Sequence, residues 1–249
     1  MQGLSSRRHL CQRLLVGREL RGFMRQPMSN PAYPENEEFL VDKAYSVLRN
    51  AIVCNDLKPG SPLSEGSLSE RLGISRTPIR EALKRLQDES LVRIVPRRGA
   101  FVSDISAEDI VQIYQLREAV ECYAIQFVPQ YGDLAELDEL VAEVKRLPEW
   151  IKAGEIERVN DLDIRLHHYI ARSSRNQLLY KLVNQLLNQV IRLRNMTPTV
   201  PGRLEQQADE HRQIVSALKA GDVEVAREAL RNHLQKVRDT AVQLRLRMR

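Results

Sequence analysis

Strand-prone residues gather in one short place in this chain. Leu91, Ile94 and Val95, then Ala100, Phe101 and Val102, flank Pro96 and Gly99 and read as one small hairpin with a basic tip at Arg97, Arg98 and Gly99. From Ser106 onward no strand pattern occurs. Apolar residues recur there with helical spacing, in segments at about 106–128, 133–153, 155–173, 177–195, 203–219 and 222–245. Pro129 and Gly132, Gly154, Arg175 and Asn176, the run 197–202 and Gly221 separate them. Helix starts are legible at Ser106 with Asp109, at Asp133, at Ser174 or Asn176, and at Asp222. This argues against a β-sandwich and predicts a mainly α chain ending in an all-α bundle of six or seven helices. Composition agrees, since 43% hydrophobic residues with only 5% aromatic and 11 Gly suit packing on Leu, Val, Ile and Ala.

The first hundred residues divide further. Residues 26–38 hold three prolines and read as a linker. Phe39, Leu40, Ala44, Val47, Leu48, Ala51 and Ile52 then mark a helix, broken at 55–67 by Pro59, Gly60 and Pro62. A short helix follows through Leu68 and Leu72, with Ser64 or Ser67 as N-cap, and Gly73 ends it. Ser67 and Glu70 have capping-box spacing. Three parts result: a basic extension at 1–34, a small domain at 35–103 and a helical domain at 104–249.

Charge and cysteine usage bound the setting. Residues 1–34 carry six Arg against one Glu, a composition shared by disordered tails, by transit peptides and by gene models whose true start is Met24 or Met28. We expect a disordered extension, because nothing in it builds a core. No apolar run reaches the ~18 residues of a membrane span. Cys11, Cys54 and Cys122 lie far apart, which predicts reduced thiols and a cytoplasmic protein. The net charge of +5 points mildly to a polyanionic partner.

That charge is polarised. Between residues 71 and 98 stand eight bases and three acids. In the stretch RLGISRTPIREALKRL (71–86), Ser75 is placed to cap a helix, with Thr77 the other candidate, and Pro78 falls in the first turn, where its missing N–H is not needed. Ile79, Ala82, Leu83 and Leu86 form one buried stripe. Arg76, Arg80 and Lys84, each four apart, line its flank. A helix, a tight turn at Gly73, a second helix and a basic-tipped hairpin make a winged helix-turn-helix. Its partner would be the DNA major groove, with Arg97 and Arg98 on phosphate or in the minor groove. A solvated basic helix is the competing reading.

A second pattern lies in the helical domain. Asp163 and His167, four apart, share one helix face. His211 and His233 fall in the last two helices, which a turn at Gly221 would set antiparallel and bring level. Three imidazoles and one carboxylate suit Zn²⁺ best, with Ni²⁺ or Mn²⁺ as alternatives. Isolated core histidines and a simple Asp–His ion pair remain open on spacing alone. His168 lies one residue past the shared face and is left out. A metal-dependent hydrolase would need a general base, for which Glu121 or Glu210 could serve, without diagnostic spacing.

The segment LSERLGISRTPIREALKRLQDESLVRIVPRRGAFV resembles the DNA-binding domain of the GntR family of bacterial transcription regulators. The resemblance implies DNA contact by Ser75, Arg76, Thr77, Arg80 and Gly99. Some members carry a further arginine at the start of the second helix, where this chain has Gly66. QIYQLREAVECYAI, LDIRLHHYIARSSRNQLL and DEHRQIVSALKAGDVEVAREALRNHL resemble the FCD domain that one GntR subgroup carries, with Leu166 where the family has Phe. That implies metal ligation by Asp163, His167, His211 and His233, and an effector cavity beside Arg117. Arg192 is a further cavity candidate, with an exposed helical arginine as the alternative.

The expectation is a bacterial regulator rather than an enzyme. It would be a homodimeric repressor on double-stranded palindromic DNA, modulated by a small organic carboxylate at a metal-containing site, with no membrane partner. A direct metal sensor is the third reading.

Overall fold

The computed structural model describes residues 37–248, and the chain divides into two compact units between Asp104 and Ile105. The expected 1–34 extension lies outside the described residues.

Among the described residues, the first unit holds three helices and a small sheet: α1 (Glu37–Val53), β1 (Pro62–Leu63), α2 (Glu65–Leu72), α3 (Arg76–Asp88), β2 (Val92–Val95) and β3 (Gly99–Val102). Its core takes Ala44, Leu48 and Ile52 from α1, Leu68 from α2, and Ile79, Ala82, Leu83 and Leu86 from α3. Leu91, Val92, Ala100 and Val102 complete it from the sheet side. Burying each large aliphatic side chain here is worth about 1.5–3 kcal/mol, which fixes the face that α3 turns outward.

The α2–α3 turn is built as Gly73 predicts. Gly73 closes α2 in the left-handed region at φ 64°, where a β-carbon would be strained. Ser64 caps α2 and accepts from the Ser67 N–H, so the capping box expected from Ser67 and Glu70 does not form. The helix simply begins one turn earlier than that spacing suggests. The expected hairpin pairs antiparallel with Val95 opposite Gly99 and Val92 opposite Val102. The sheet has a third member, β1, paired to β3 as an edge. Two residues leave no readable periodicity, and Pro62 suggests a break in sequence, yet proline is tolerated on an edge strand.

The second unit runs α4 (Ala107–Ala124), a 3₁₀ turn (Ile125–Phe127), α5 (Val128–Tyr131), α6 (Leu134–Lys152), α7 (Ile156–Ser173), α8 (Gln177–Met196), α9 (Arg203–Ala220) and α10 (Val223–Arg247). Ser106 and Asp109 form a full capping box, and Asp133, Asn176 and Asp222 cap α6, α8 and α10. The stop expected at Pro129 is only a change of pitch, because Pro129 occupies the first turn of α5, where it interrupts no helical hydrogen bond. Gly221 ends α9 at φ 76°, and α10 starts two residues later, so these helices form a tight antiparallel pair. Cys122 is a buried thiol.

Candidate functional site

Two surfaces carry the chemistry, one in each unit. In the first, α3 buries Pro78, Ile79, Ala82, Leu83 and Leu86 and exposes Ser75, Arg76, Thr77, Arg80 and Lys84. Ser75 is the N-cap by its backbone, but its side chain makes no capping hydrogen bond. Its hydroxyl and the orphan N–H groups of the first turn therefore point a donor-rich helix end at solvent. Arg97, Arg98 and Gly99 are exposed at the hairpin tip, where Arg97 takes φ 63° and Gly99 φ 99°.

Three of the α3 cations already hold acids, one of them Arg85, which pairs with Asp42 at 2.6 Å. Arg80 donates from Nε and Nη2 to the two carboxylate oxygens of Glu65, at 3.0 and 2.8 Å. Lys84 pairs with Glu81 at 2.8 Å. Exposed pairs of this kind are worth about 0–1 kcal/mol, so they leave the remaining N–H groups of Arg80 and Lys84 available to DNA.

In the second unit, Asp163 and His167 from α7, His211 from α9 and His233 from α10 come together in the interior. All four are at most 1% exposed, and their candidate ligand atoms lie within 4.8 Å of one another. The Nε2 atoms of His211, His167 and His233 stand 3.1, 3.8 and 3.9 Å from Asp163 Oδ1. Donors about 2.1 Å from one ion are roughly 3–4.2 Å apart, so this spacing fits a bound divalent metal. His167 Nε2 has no hydrogen-bond partner, a costly state for a buried polar atom unless it serves another purpose. Spacing within α7 and the Gly221 turn were enough to find all four. His168 packs against Tyr180 instead, with ring centroids 5.6 Å apart.

A second layer orients the imidazoles. Glu121 Oε2 accepts from His167 Nδ1 at 2.5 Å, and its Oε1 accepts from Arg117 Nε at 2.7 Å. Glu210 Oε2 accepts from His233 Nδ1 at 2.9 Å, and Arg203 donates to both Glu210 oxygens. A carboxylate on Nδ1 puts the proton there and turns the Nε2 lone pair inward, as metal-ligating histidines require. Asp163 is fixed too, by Gln207 on Oδ1 and Arg194 on Oδ2, each at 2.6 Å.

The electrostatics keep ligands in ligand form. Burial pushes His233 down to about 3 and also lowers His211, so both imidazoles are neutral at physiological pH. Burial alone would raise Glu121, but the Arg117 guanidinium and His167 hold it at about 2. Asp163 lies well below the ordinary carboxylate range, because Arg194 and the histidines outweigh its burial. The result is one ionised aspartate beside the neutral imidazoles of His211 and His233, a hard-and-borderline donor set suited to Zn²⁺, Ni²⁺ or Mn²⁺.

The sequence named Glu121 and Glu210 only as possible bases, and missed Arg194, Gln207 and Arg203. Glu210 is one residue before His211, and adjacent helical residues face different directions, so its service to His233 on the next helix carries no sequence signal. Arg117 and Arg192 are each 1% exposed, which excludes the exposed-arginine reading of Arg192. Arg117 Nη2 and Arg194 Nη1 are buried donors without a hydrogen-bond partner. Among the described residues, no helix is long and apolar enough to cross a membrane.

A winged helix-turn-helix followed in the same chain by a helical domain with this interior defines a DNA-binding transcription regulator. The chain belongs to the GntR family of bacterial regulatory proteins, whose model matches residues 40–102, and carries an FCD domain matched over 112–236. It is 33% identical, over 207 residues, to an uncharacterized HTH-type transcriptional regulator in an unstable DNA locus of Streptomyces ambofaciens, covering 81% of this chain and 84% of that one. It is 28% identical, over 216 residues, to the HTH-type transcriptional repressor RspR of Escherichia coli K12, covering 87% and 92%. A solved structure of a putative GntR regulator from Rhodococcus sp. RHA1 is similar at TM-score 0.68 and 26% identity, covering 82% of this chain and 97% of that one.

Proposed function

We propose that this regulator is a bacterial, cytoplasmic repressor whose operator binding is controlled by a small organic carboxylate at a metal in the helical domain. Ser75, Arg76, Thr77, Arg80 and Lys84 would read and grip the major groove, and Arg97, Arg98 and Gly99 the flanking backbone or minor groove. A homodimer would carry two such helices to a palindromic operator. The repressor sign is supported by the name of RspR, a relative aligned over most of its length.

Asp163, His167, His211 and His233 would hold the metal, with Zn²⁺ the best match to the donor set. When bound, the ion supplies a Lewis-acidic anchor for an anionic oxygen. The observation that carries the effector reading is Arg117. It is a fully buried cation tied by Nε to the carboxylate behind His167, with an Nη2 that no protein group satisfies. A buried guanidinium of this kind suits a carboxylate partner. Arg192 is the second candidate on burial alone. The hydrolase alternative loses its candidate bases, since Glu121 and Glu210 both accept hydrogen bonds from ligand imidazoles.

The test is a thermal-shift screen of small carboxylates against Zn²⁺-loaded protein, because ligands of the native state raise its melting temperature. Hits should change operator affinity in fluorescence anisotropy, and Arg117→Met should abolish that response. Hits that stabilise the protein yet leave operator affinity unchanged would refute the regulatory reading. Chelation that abolishes the response and leaves basal operator binding intact would argue against the metal itself being the signal.

A further inference from the structure

Glu65 has no part in the DNA reading so far. It is the first residue of α2, where the helix dipole favours a carboxylate, and its two oxygens take the Nε–Nη2 edge of Arg80. That edge is two of the five N–H groups an arginine offers. The Nη1 pair and the outer N–H of Nη2 remain, and together they form the end-on fork that matches guanine O6 and N7. The same helix start also meets Arg76, whose Nη2 lies 3.8 Å from where a β-carbon on Gly66 would stand. So α2 begins beneath Arg76 and Arg80 of α3, and the acid at that point grips Arg80 in a fixed orientation.

We propose that Glu65 is a positioning residue that aims the Arg80 guanidinium at one base pair of each half-site and thereby sets base preference. This rests on Arg80 reading a base edge. An unbraced arginine samples many rotamers and is drawn equally to phosphates. A braced one presents one fork in one plane, and only a guanine in register answers it. Glu65 itself carries a charge that phosphates repel, so its value lies in discrimination and not in total affinity.

The experiment selects an operator from a randomised duplex pool with the full-length protein. Affinities are then measured for single base-pair substitutions with Glu65→Ala, Glu65→Gln, Arg80→Ala and Glu81→Ala. Glu81→Ala removes the same charge from the same unit, but Glu81 pairs with Lys84 and not with Arg80. Arg80→Ala should flatten preference at one position per half-site, where a bidentate contact gives about 5- to 150-fold discrimination. Glu65→Ala should flatten that same position at least fivefold while retaining or gaining affinity for random DNA, and Glu65→Gln, which keeps one acceptor, should fall between. If Glu65→Ala matches Glu81→Ala, with a uniform gain and unchanged preference, the brace is refuted while Arg80 still reads a base. If Arg80→Ala itself changes no preference, the underlying base contact is what fails. Melting curves and circular dichroism of each variant establish that the fold is kept.

Discussion

Replacing Glu121 by Gln changes almost no volume, yet it should disable His167 as a ligand. Arg117 Nε donates to one side of the Glu121 carboxylate, so a glutamine there must turn its carbonyl to Arg117. Its amide NH₂ then faces His167 Nδ1, which in the parent donates to a carboxylate oxygen at 2.5 Å. A donor facing Nδ1 demands the lone pair there and moves the imidazole proton to Nε2, the atom that points at Asp163. The tautomer is then wrong for ligation. Loss of such a supporting partner costs about 10- to 100-fold in metal affinity.

At free metal about 1,000 times the parent dissociation constant, binding stabilises the fold by about 4.1 kcal/mol. A hundredfold weaker site retains roughly 1.4 kcal/mol at the same concentration, a loss of about 2.7 kcal/mol. At about 2–4 °C per kcal/mol, the melting gap between metal-loaded and chelated protein should narrow by roughly 5–11 °C. The chelated variant will also melt lower than the chelated parent, since Arg117 loses its buried counter-charge. The gap isolates metal affinity from that effect, and competition with a chromophoric chelator measures affinity directly. A Glu121→Gln protein that binds Zn²⁺ within twofold of the parent, with an unchanged gap, would refute the tautomer argument.

Other outcomes follow from the same structure. His211→Ala should lower metal content while leaving the helical unit folded, and full occupancy by elemental analysis would overturn the ligand assignment. Arg76→Ala with Arg80→Ala should abolish operator recognition in anisotropy. Arg97→Ala with Arg98→Ala should flatten the salt dependence by about 0.9 for each phosphate these arginines neutralise, and an unchanged slope would remove the wing from the DNA surface. Ile79→Ala, at a position with no solvent exposure, should destabilise the DNA-binding unit by about 2–5 kcal/mol in urea titration. Chelated protein should weaken in acid. Burial holds His233 at about 3, so the unfolded chain takes up a proton near 6.5 that the folded one refuses, and stability falls from that pH downward. Glu121 and Glu210, both depressed to about 2 against their burial, contribute stability that is present above about 4.5 and lost as pH falls toward 2. Denaturant unfolding free energies that stay flat from pH 7 to pH 3 would contradict both.

The apolar period fixed where the helices lie and which stripe of α3 faces inward, because helical geometry ties residues three and four apart to one side. The same rule paired Asp163 with His167, and the turn at Gly221 aligned His211 with His233. Local chemistry also located the caps at Ser106, Asp133 and Asp222 and the left-handed turn at Gly73. These signals are short-range, and short-range physics writes itself into sequence.

What tertiary structure alone decided is every contact between helices far apart in the chain. Glu121 reaches across 46 positions to His167, Gln207 across 44 and Arg194 across 31 to Asp163. Glu65 reaches Arg80 across the α2–α3 turn, where no helical period links them. Pairing strand β1 with β3 and burying Arg117 and Arg192 belong to the same class. A side chain's role there depends on which neighbour packing brings within 3 Å, and burial then multiplies the energetic consequence by stripping away water.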